Sequence, residues 1–266
     1  MSTVPARRHR PVVDPAGRPR AGAPGHAPGR GRSPGWVPPQ HGAWAMLLLP
    51  VLAALTVTGP CPLHLPLLGA ALAAYPLSYF GLQAVKTGRI RRVRPHLVGY
   101  GLATVALGAP VLVARPATLA YAPLFVALSA VNAGHARWRR DRAFVNDLAF
   151  VTQCGLLGLV VATVAEVSWT RVAGVTVVAL GYLVGTVLHV KTMIRERNSV
   201  RERWVSWTYH AVVAVAAALW APVPVAVVFA VLLARAVLLA GRRVAPMRVG
   251  LIETACALLV LVAVAL

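Results

Sequence analysis

The sequence is poor in acidic residues and in charged residues of any kind. Only 7 of its 266 residues are Asp or Glu, against 27 Lys or Arg, so the formal net charge is +20, yet charged residues make up only 13% of the chain. Ordinary soluble domains carry about 25% charged residues. Because 58% of the residues are hydrophobic, the chain is neither an ordinary water-soluble globule nor a disordered basic protein. These values predict a polytopic membrane protein with its charge in the loops.

Cysteine is also rare, and the motifs of several enzyme classes are missing. Cys61, Cys154 and Cys256 stand far apart and form no CxxC pair, so the sequence predicts neither a disulfide framework nor a zinc site. There is no P-loop, HExxH, Ser-His-Asp or Rossmann glycine pattern, and we predict no metal and no cofactor. A basic face interleaved with aromatic residues is absent too, so nucleic acid is not an expected partner despite the charge.

Two regions of the chain differ in composition. Residues 1–35 are rich in Arg, Pro and Gly and have almost no large apolar side chains, so they cannot bury enough surface to fold. We predict a disordered basic tail there, either a solvated leader or a polybasic segment that contacts anionic lipid. Residues 36–266 are predicted to form an all-α transmembrane domain, because a membrane helix needs about 20 mostly apolar residues. Its nine apolar runs cover about residues 42–59, 65–85, 96–114, 117–135, 144–165, 172–190, 204–220, 222–240 and 249–266.

The loops between the runs alternate in charge. The N-terminal tail and the loops after runs two, four, six and eight are rich in Arg and Lys, whereas each remaining loop has at most one such residue. Basic loops stay on the cytoplasmic side of a membrane. The pattern therefore predicts a multi-pass protein of the inner, cytoplasmic membrane, with nine crossings, a cytoplasmic N-terminus and an external C-terminus.

Polar side chains gather at the predicted cytoplasmic ends of the helices. Intramembrane polar groups tend to face a cavity or a partner, so these residues predict a water-accessible cavity open to the cytoplasm. Ordinary placement at the headgroup level is the alternative. Arg235 lies about one turn from the inner end of run eight, where snorkelling to the interface accounts for it. The candidate ligand-binding residues of these stripes are Gln40, His41, Trp44, Gln83, Asn132, Asn146, Asp147, His189, His210 and Glu253.

Two of these candidates are acids at membrane depth. Asp147 and Glu253 each either pair with an arginine of a neighbouring helix or serve as a ligand or proton carrier. Histidine has an ordinary pKa of about 6.5, so a carboxylate beside histidines suits proton exchange near neutral pH. Both roles stay open at the level of the sequence.

One motif resembles a known family. The stretch WVPPQHGAWAMLLLP at residues 36–50 is similar to the opening signature of the YwiC-like family of bacterial membrane proteins, which as a whole has no assigned activity. The similarity extends over all nine runs, with the basic loop after run two and the Arg-Glu-Arg loop after run six. It leaves out the first 35 residues.

A more distant resemblance is to the UbiA-type intramembrane prenyltransferases. That family has nine helices and a cytoplasmic active site between the loops after helices two and six, and the segment RRVRP at residues 91–95 resembles its basic-Pro stretch. The family's Asp-rich motifs, which hold Mg²⁺ on a diphosphate, are missing here, so an enzyme is not favoured. The resemblance implies that basic residues of these two loops grip an anionic headgroup without metal. The candidates are Arg91, Arg92, Arg94, Lys191 and Arg197.

Three hypotheses for function follow. The first is a binding or transferase-like protein that holds a lipid-linked or prenylated anion, such as an anionic lipid or an isoprenoid, in a cytoplasm-facing cavity. The second is a transporter or permease for a small solute. The third is a non-catalytic membrane partner protein. In each case the lipid bilayer is the expected environment.

Overall fold

The chain folds into α-helices only, over the part that the structure describes. A computed structural model describes residues 35–266, without the side chain of His41, so the tail predicted for residues 1–35 lies outside the described residues except for its last residue, Gly35. No strand occurs within 35–266, and the predicted all-α class is confirmed. The nine α-helices are α1 His41–Thr58, α2 His64–Thr87, α3 Ile90–Ala114, α4 Ala122–Arg137, α5 Phe144–Val164, α6 Trp169–Val190, α7 Val200–Trp220, α8 Val223–Leu239 and α9 Pro246–Ala265.

Most of these helices are long and apolar enough to cross a bilayer. Within the described residues, 6 helical segments reach this length and hydropathy, namely α2, α3, α5, α6 with its π-helical end, α9, and α4 together with the 3₁₀ turn that precedes it. The apolar parts of α1 and α8 are shorter, and α7 begins with three charged residues at Arg201–Arg203. The chain is therefore a multi-pass membrane protein.

The turn between α2 and α3 is tighter than the sequence suggests. Gly88 has a φ of 68°, in the left-handed region where glycine has no steric penalty, and it ends α2. Helix α3 then begins at Ile90, six residues before the predicted run. Arginine is a good helix former, so Arg91, Arg92 and Arg94 lie in the first two turns of α3 and not in a loop.

Contacts between the turns define two ends of the helical domain. An ion pair between Lys86 and Asp141 joins the end of α2 to the turn before α5. The Nζ of Lys191, just after α6, lies 5.7 Å from the ring centre of Phe144 at the start of α5. The N–H of Gly241, after α8, donates to the carbonyl of Thr192 at 3.3 Å. We call this end, which carries the basic turns, the basic end.

The neutral end, on the other side, has few charges. There Nε2 of His64, at the start of α2, donates to the carbonyl of Val161 in α5 at 3.1 Å. Arg115, after α3, donates through Nε to the carbonyl of Val164 at 3.1 Å, and its Nη2 lies 2.8 Å from Glu166. The bond from Arg115 satisfies the carbonyl of Val164, the last residue of α5, which has no partner within the helix.

The helices differ in how far they are buried by the protein itself. In the most apolar stretch of α5 and of α6, half of the residues are buried inside the protein. The buried share is 6% in α3 and 11% in α4 with its preceding turn. The main hydrophobic core lies around α1, α5, α6 and α9, with side chains such as Val151, Leu183 and Val260. Helices α3 and α4 therefore present most of their side chains to their surroundings, which in a bilayer are lipid tails.

Small residues set the closest helix approach in this core. Gly158 of α5 faces the backbone of α1, and a Cβ added there would lie 3.2 Å from the carbonyl oxygen of Pro50. It would also lie 3.2 Å from Oγ1 of Thr176 in α6. Small residues let membrane helices pack at short distance, so Gly158 fixes how near α1 and α6 come to α5.

Candidate functional site

A buried ion pair lies between α8 and α9. Nη1 of Arg235 donates to both carboxylate oxygens of Glu253, at 2.8 and 2.7 Å. Arg235 is 7% exposed and Glu253 is 9% exposed. Glu253 is seven residues into α9, which corresponds to about 10 Å from its first residue. Charges at such depth in a membrane protein are costly and mark functional or pairing sites.

Hydroxyl groups of α6 complete the surroundings of the carboxylate. Oγ1 of Thr186 donates to Glu253 at 2.8 Å. The hydroxyl of Tyr182 donates to the backbone carbonyl of Glu253 at 2.6 Å and lies 3.5 Å from its carboxylate. Thr186 and Tyr182 are four residues apart and so share one face of α6. The carboxylate is thus held from two helices besides its own.

A histidine of α7 contacts the other side of the guanidinium. Nη2 of Arg235 lies 3.3 Å from Nε2 of His210, and Nδ1 of His210 lies 2.7 Å from the carbonyl of Ser206. A carbonyl only accepts, so Nδ1 carries the proton and Nε2 accepts from the arginine. These contacts fix His210 as one neutral tautomer.

A glycine makes room for that imidazole. A Cβ added at Gly185 of α6 would lie 3.0 Å from Nε2 of His210. The rings of His210 and His189 lie 6.4 Å apart at 76°. The buried cluster is the set of seven residues from four helices that this arrangement brings together: Tyr182, Thr186, His189, Ser206, His210, Arg235 and Glu253.

Several atoms of the buried cluster have no hydrogen-bond partner. They are Nδ1 of His189, Oγ of Ser206 and Nε of Arg235, on residues that are 1%, 0% and 7% exposed. Nε of Arg203, nearer the basic end on α7, is also buried without a partner. Each such group costs about 1–3 kcal/mol if it stays unsatisfied. The cluster therefore has hydrogen-bonding capacity left for a further molecule.

Three predicted candidates belong to this cluster, and one arginine was misjudged. His189, His210 and Glu253 lie together, which the sequence could suggest only by their shared end of the helices. The interpretation of Arg235 as a snorkelling residue is wrong, because its guanidinium points into the protein and pairs with Glu253. The side chain of an arginine one turn from a helix end can either snorkel to the membrane interface or pair with an acid inside the protein. Only the position of α9 decides between the two.

A second group of candidates lies at the basic end, beside the π-helical turn Lys191–Arg195. Lys191 pairs with Glu202 of α7 at 3.2 Å. Asp147 is half-buried and interacts electrostatically with Arg195 and Lys191. Nδ2 of Asn146 donates to the carbonyl of Asp141 at 2.9 Å, and Nε of Arg197 to that of Met193 at 3.1 Å. The last two bonds are local, within five residues along the chain.

The candidates of α1 lie where that helix begins, and Gln83 lies near the end of α2. Oε1 of Gln40 accepts from the hydroxyl of Tyr75 at 3.1 Å, and the rings of Trp44 and Tyr75 are 4.7 Å apart. Gln83 instead donates to Tyr79, on its own helix, at 2.7 Å. The side chain of His41 lies outside the described residues.

The candidates of α3 and α4 lie outside the buried cluster. Arg91, Arg92 and Arg94 are exposed at the start of α3. Asn132 of α4 is buried and donates to Gln153 of α5 at 3.3 Å, a polar contact of the kind that joins membrane helices. Among the described residues, no three His, Cys, Asp or Glu side chains are arranged to hold a metal ion.

Comparison with known proteins finds a family model and two bacterial proteins that are similar to this chain. Residues 37–162 match the model of the family described as YwiC-like protein. The YwiC-like resemblance is confirmed. An uncharacterized protein of Haemophilus influenzae is 28% identical over 217 residues, which are 81% of this chain and 91% of that protein. The uncharacterized protein YwiC of Bacillus subtilis is 28% identical over 179 residues, 65% of this chain and 73% of that protein. No solved structure matches.

The YwiC-like match covers α1 to α5 and stops before the buried cluster. The first residues of the opening signature pack against α3 before α1 begins. Pro38 is fully buried, and the ring of Trp36 lies 4.6 Å from the ring of His96. The hydroxyl of Tyr100 donates to the carbonyl of Trp36 at 2.9 Å. The signature that identifies the YwiC-like region therefore includes residues that anchor α1 to α2 and α3.

Proposed function

We propose that this protein binds an anionic lipid or another lipid-linked anion at its basic end. The observation that carries the proposal is the position of Arg91 and Arg94, exposed at the start of the helix that the protein buries least. Exposed arginines at the end of a membrane helix lie at the level of the lipid headgroups. The guanidinium of arginine binds two oxygens of a phosphate or carboxylate group at once.

The same face of α3 offers a surface for an apolar tail. Val98, Leu102 and Val105 follow Arg94 at spacings of four, four and three residues, which places them on one stripe of the helix. They are 51%, 67% and 67% exposed. A lipid with an anionic headgroup matches this order of charge and apolar surface along the helix, whereas a free small anion would use only the arginines.

The arginines are tested by replacing them in the full chain. We expect Arg91→Gln/Arg94→Gln to weaken binding of farnesyl diphosphate and of dioleoyl-phosphatidylglycerol, measured by native mass spectrometry from lipid nanodiscs. Each basic residue near a membrane surface contributes about 1 kcal/mol, so the loss of two lowers the affinity by roughly 30-fold.

The matched control removes the same charge elsewhere. Arg242 and Arg243 are exposed in the turn after α8, away from the α3 stripe, so Arg242→Gln/Arg243→Gln should leave both affinities near those of the original chain. Equal losses of affinity in the two double variants would show that net charge alone determines binding, and this would contradict a site on α3. Loss for only one of the two probes would tell a prenylated anion from a phospholipid.

We also propose that the basic end faces the cytoplasm and that the membrane is the inner membrane. The half-exposed Cys61 lies at the neutral end, whereas Cys154 and Cys256 are buried. A membrane-impermeant maleimide should therefore label the chain from outside in right-side-out vesicles and not in sealed inside-out ones, as followed by a mass shift. Cys61→Ser should abolish the labelling, and the opposite vesicle pattern would invert the orientation.

A further inference from the structure

The buried cluster has a side of Arg235 that no acid occupies. Glu253 accepts both of its hydrogen bonds from Nη1. Nε has no hydrogen-bond partner, Nη2 contacts Nε2 of His210, and the thiol of Cys256 interacts with the same guanidinium. In a guanidinium, Nε–H and one N–H of Nη2 point along the same edge, and such an edge binds two oxygens of one oxyanion. This edge is the free binding capacity of the cluster.

Two other unpartnered groups belong to the residues around His210 in the same cluster. Oγ of Ser206 is one turn before His210 on the same face of α7, and Nδ1 of His189 belongs to the ring beside His210. A hydroxyl and an imidazole nitrogen each donate a hydrogen bond in the matching rotamer or tautomer. With the arginine edge they give donors from three helices, which suits a small acceptor-rich ligand.

Charge balance requires that such an anion enters with a proton. The pair of Arg235 and Glu253 is neutral, and the accepting Nε2 of His210 is blocked by the guanidinium. A proton added to that nitrogen makes it a donor that faces another donor, so Nη2 loses its partner and the cluster gains one positive charge. A buried net charge is strongly disfavoured, and a monovalent anion on the Nε–Nη2 edge neutralises it.

We propose that the buried cluster is a binding site for a small monovalent oxyanion, taken up together with one proton from the basic end. Arg203, Ser206 and His210 succeed one another at spacings of three and four residues on α7 and lead from that end to the site. The titratable and charged groups that interact with Arg235, Glu253 or His210 are Tyr182 and His189 of α6, Tyr209 of α7 and Cys256 of α9, and Arg203 lies two turns from His210 on α7.

The test uses formate as the oxyanion and the full chain in nanodiscs. We expect broadening of the ¹³C-formate resonance that is saturable, and an affinity at pH 5.5 at least about tenfold above that at pH 7.5, because one proton accompanies each anion. Chloride, which lacks two oxygens for the arginine edge, should compete poorly. Binding that does not depend on pH, or chloride that competes as well as formate, would overturn the proposal.

Variants separate the site from the surface arginines. The neutral pair Arg235→Gln/Glu253→Gln should abolish formate binding, and Ser206→Ala should weaken it by about tenfold as one hydrogen bond is lost. Ser129→Ala is the matched control, since this serine of α4 contacts Gln153 and not the cluster. Arg91→Gln/Arg94→Gln should leave formate binding unchanged, so failure here is distinct from failure of the lipid proposal. Unaltered binding in the neutral pair or in Ser206→Ala would contradict the assignment.

Discussion

Glu253→Gln is expected to lower the free energy of unfolding by about 3–5 kcal/mol, because it leaves the buried guanidinium of Arg235 without its counter-charge. The amide still accepts from Thr186, so the loss reports the charge and not the shape of the side chain. Arg235→Gln should cost a similar amount, since Glu253 would then be the lone buried ion. Unfolding in mixed micelles of detergent, followed by circular dichroism, measures both.

The double variant decides whether the cost belongs to the pair. Arg235→Gln/Glu253→Gln should recover most of the lost stability, because a neutral polar pair carries no desolvated charge. Glu166→Gln at the neutral end is the matched control: its side chain is 69% exposed in the pair with Arg115, so about 0–1 kcal/mol is expected. Additive losses in the double variant would show that Arg235 and Glu253 act independently.

Gly158→Leu should separate α1 from α5 and lower the free energy of unfolding by about 1–3 kcal/mol. The added side chain meets the carbonyl oxygen of Pro50, which belongs to the backbone and cannot rotate away. Gly158→Ala should cost less, since only one carbon has to be accommodated. The same unfolding measurement applies, and disulfide cross-linking of cysteines introduced in α1 and α5 should slow in the leucine variant.

A second glycine supplies the control for helix propensity. Gly174 of α6 has open space around its Cβ position, so Gly174→Leu should be neutral or stabilising by up to about 1 kcal/mol. If both leucine variants behave alike, the close approach of α1 and α5 does not limit stability.

The fold was predictable because the length of each apolar run and the charge of each loop directly indicate the membrane helices and their ends. The nine apolar runs match nine helices to within a few residues, except where Gly88 lets α3 begin early at Ile90. That exception is physical: a two-residue turn and an arginine-rich helix start look like a basic loop in a hydropathy pattern. The start of α4 is a second exception, because the 3₁₀ turn Pro116–Tyr121 replaces the first part of the predicted run.

The site was predictable only in part, because residue types can be read from a sequence but their partners cannot. His189, His210 and Glu253 stood out as polar residues in apolar runs, and their grouping at one end was visible. Arg235 was misjudged, since the choice between snorkelling and pairing depends on which helix packs beside α8. Gly185 and Ser206 share the helix faces of His189 and His210 in the sequence, but their importance comes from the position of the His210 ring.

The pairing of Arg235 with Glu253 also has a consequence for how relatives of this protein diverge. A lineage that replaces one of the two charges passes through a poorly folded intermediate, so the two positions should change together or not at all. Such joint substitution, 18 residues apart in α8 and α9, would be visible as covariation between α8 and α9 even where overall identity is low. We therefore expect the ion pair to be inherited as a single character.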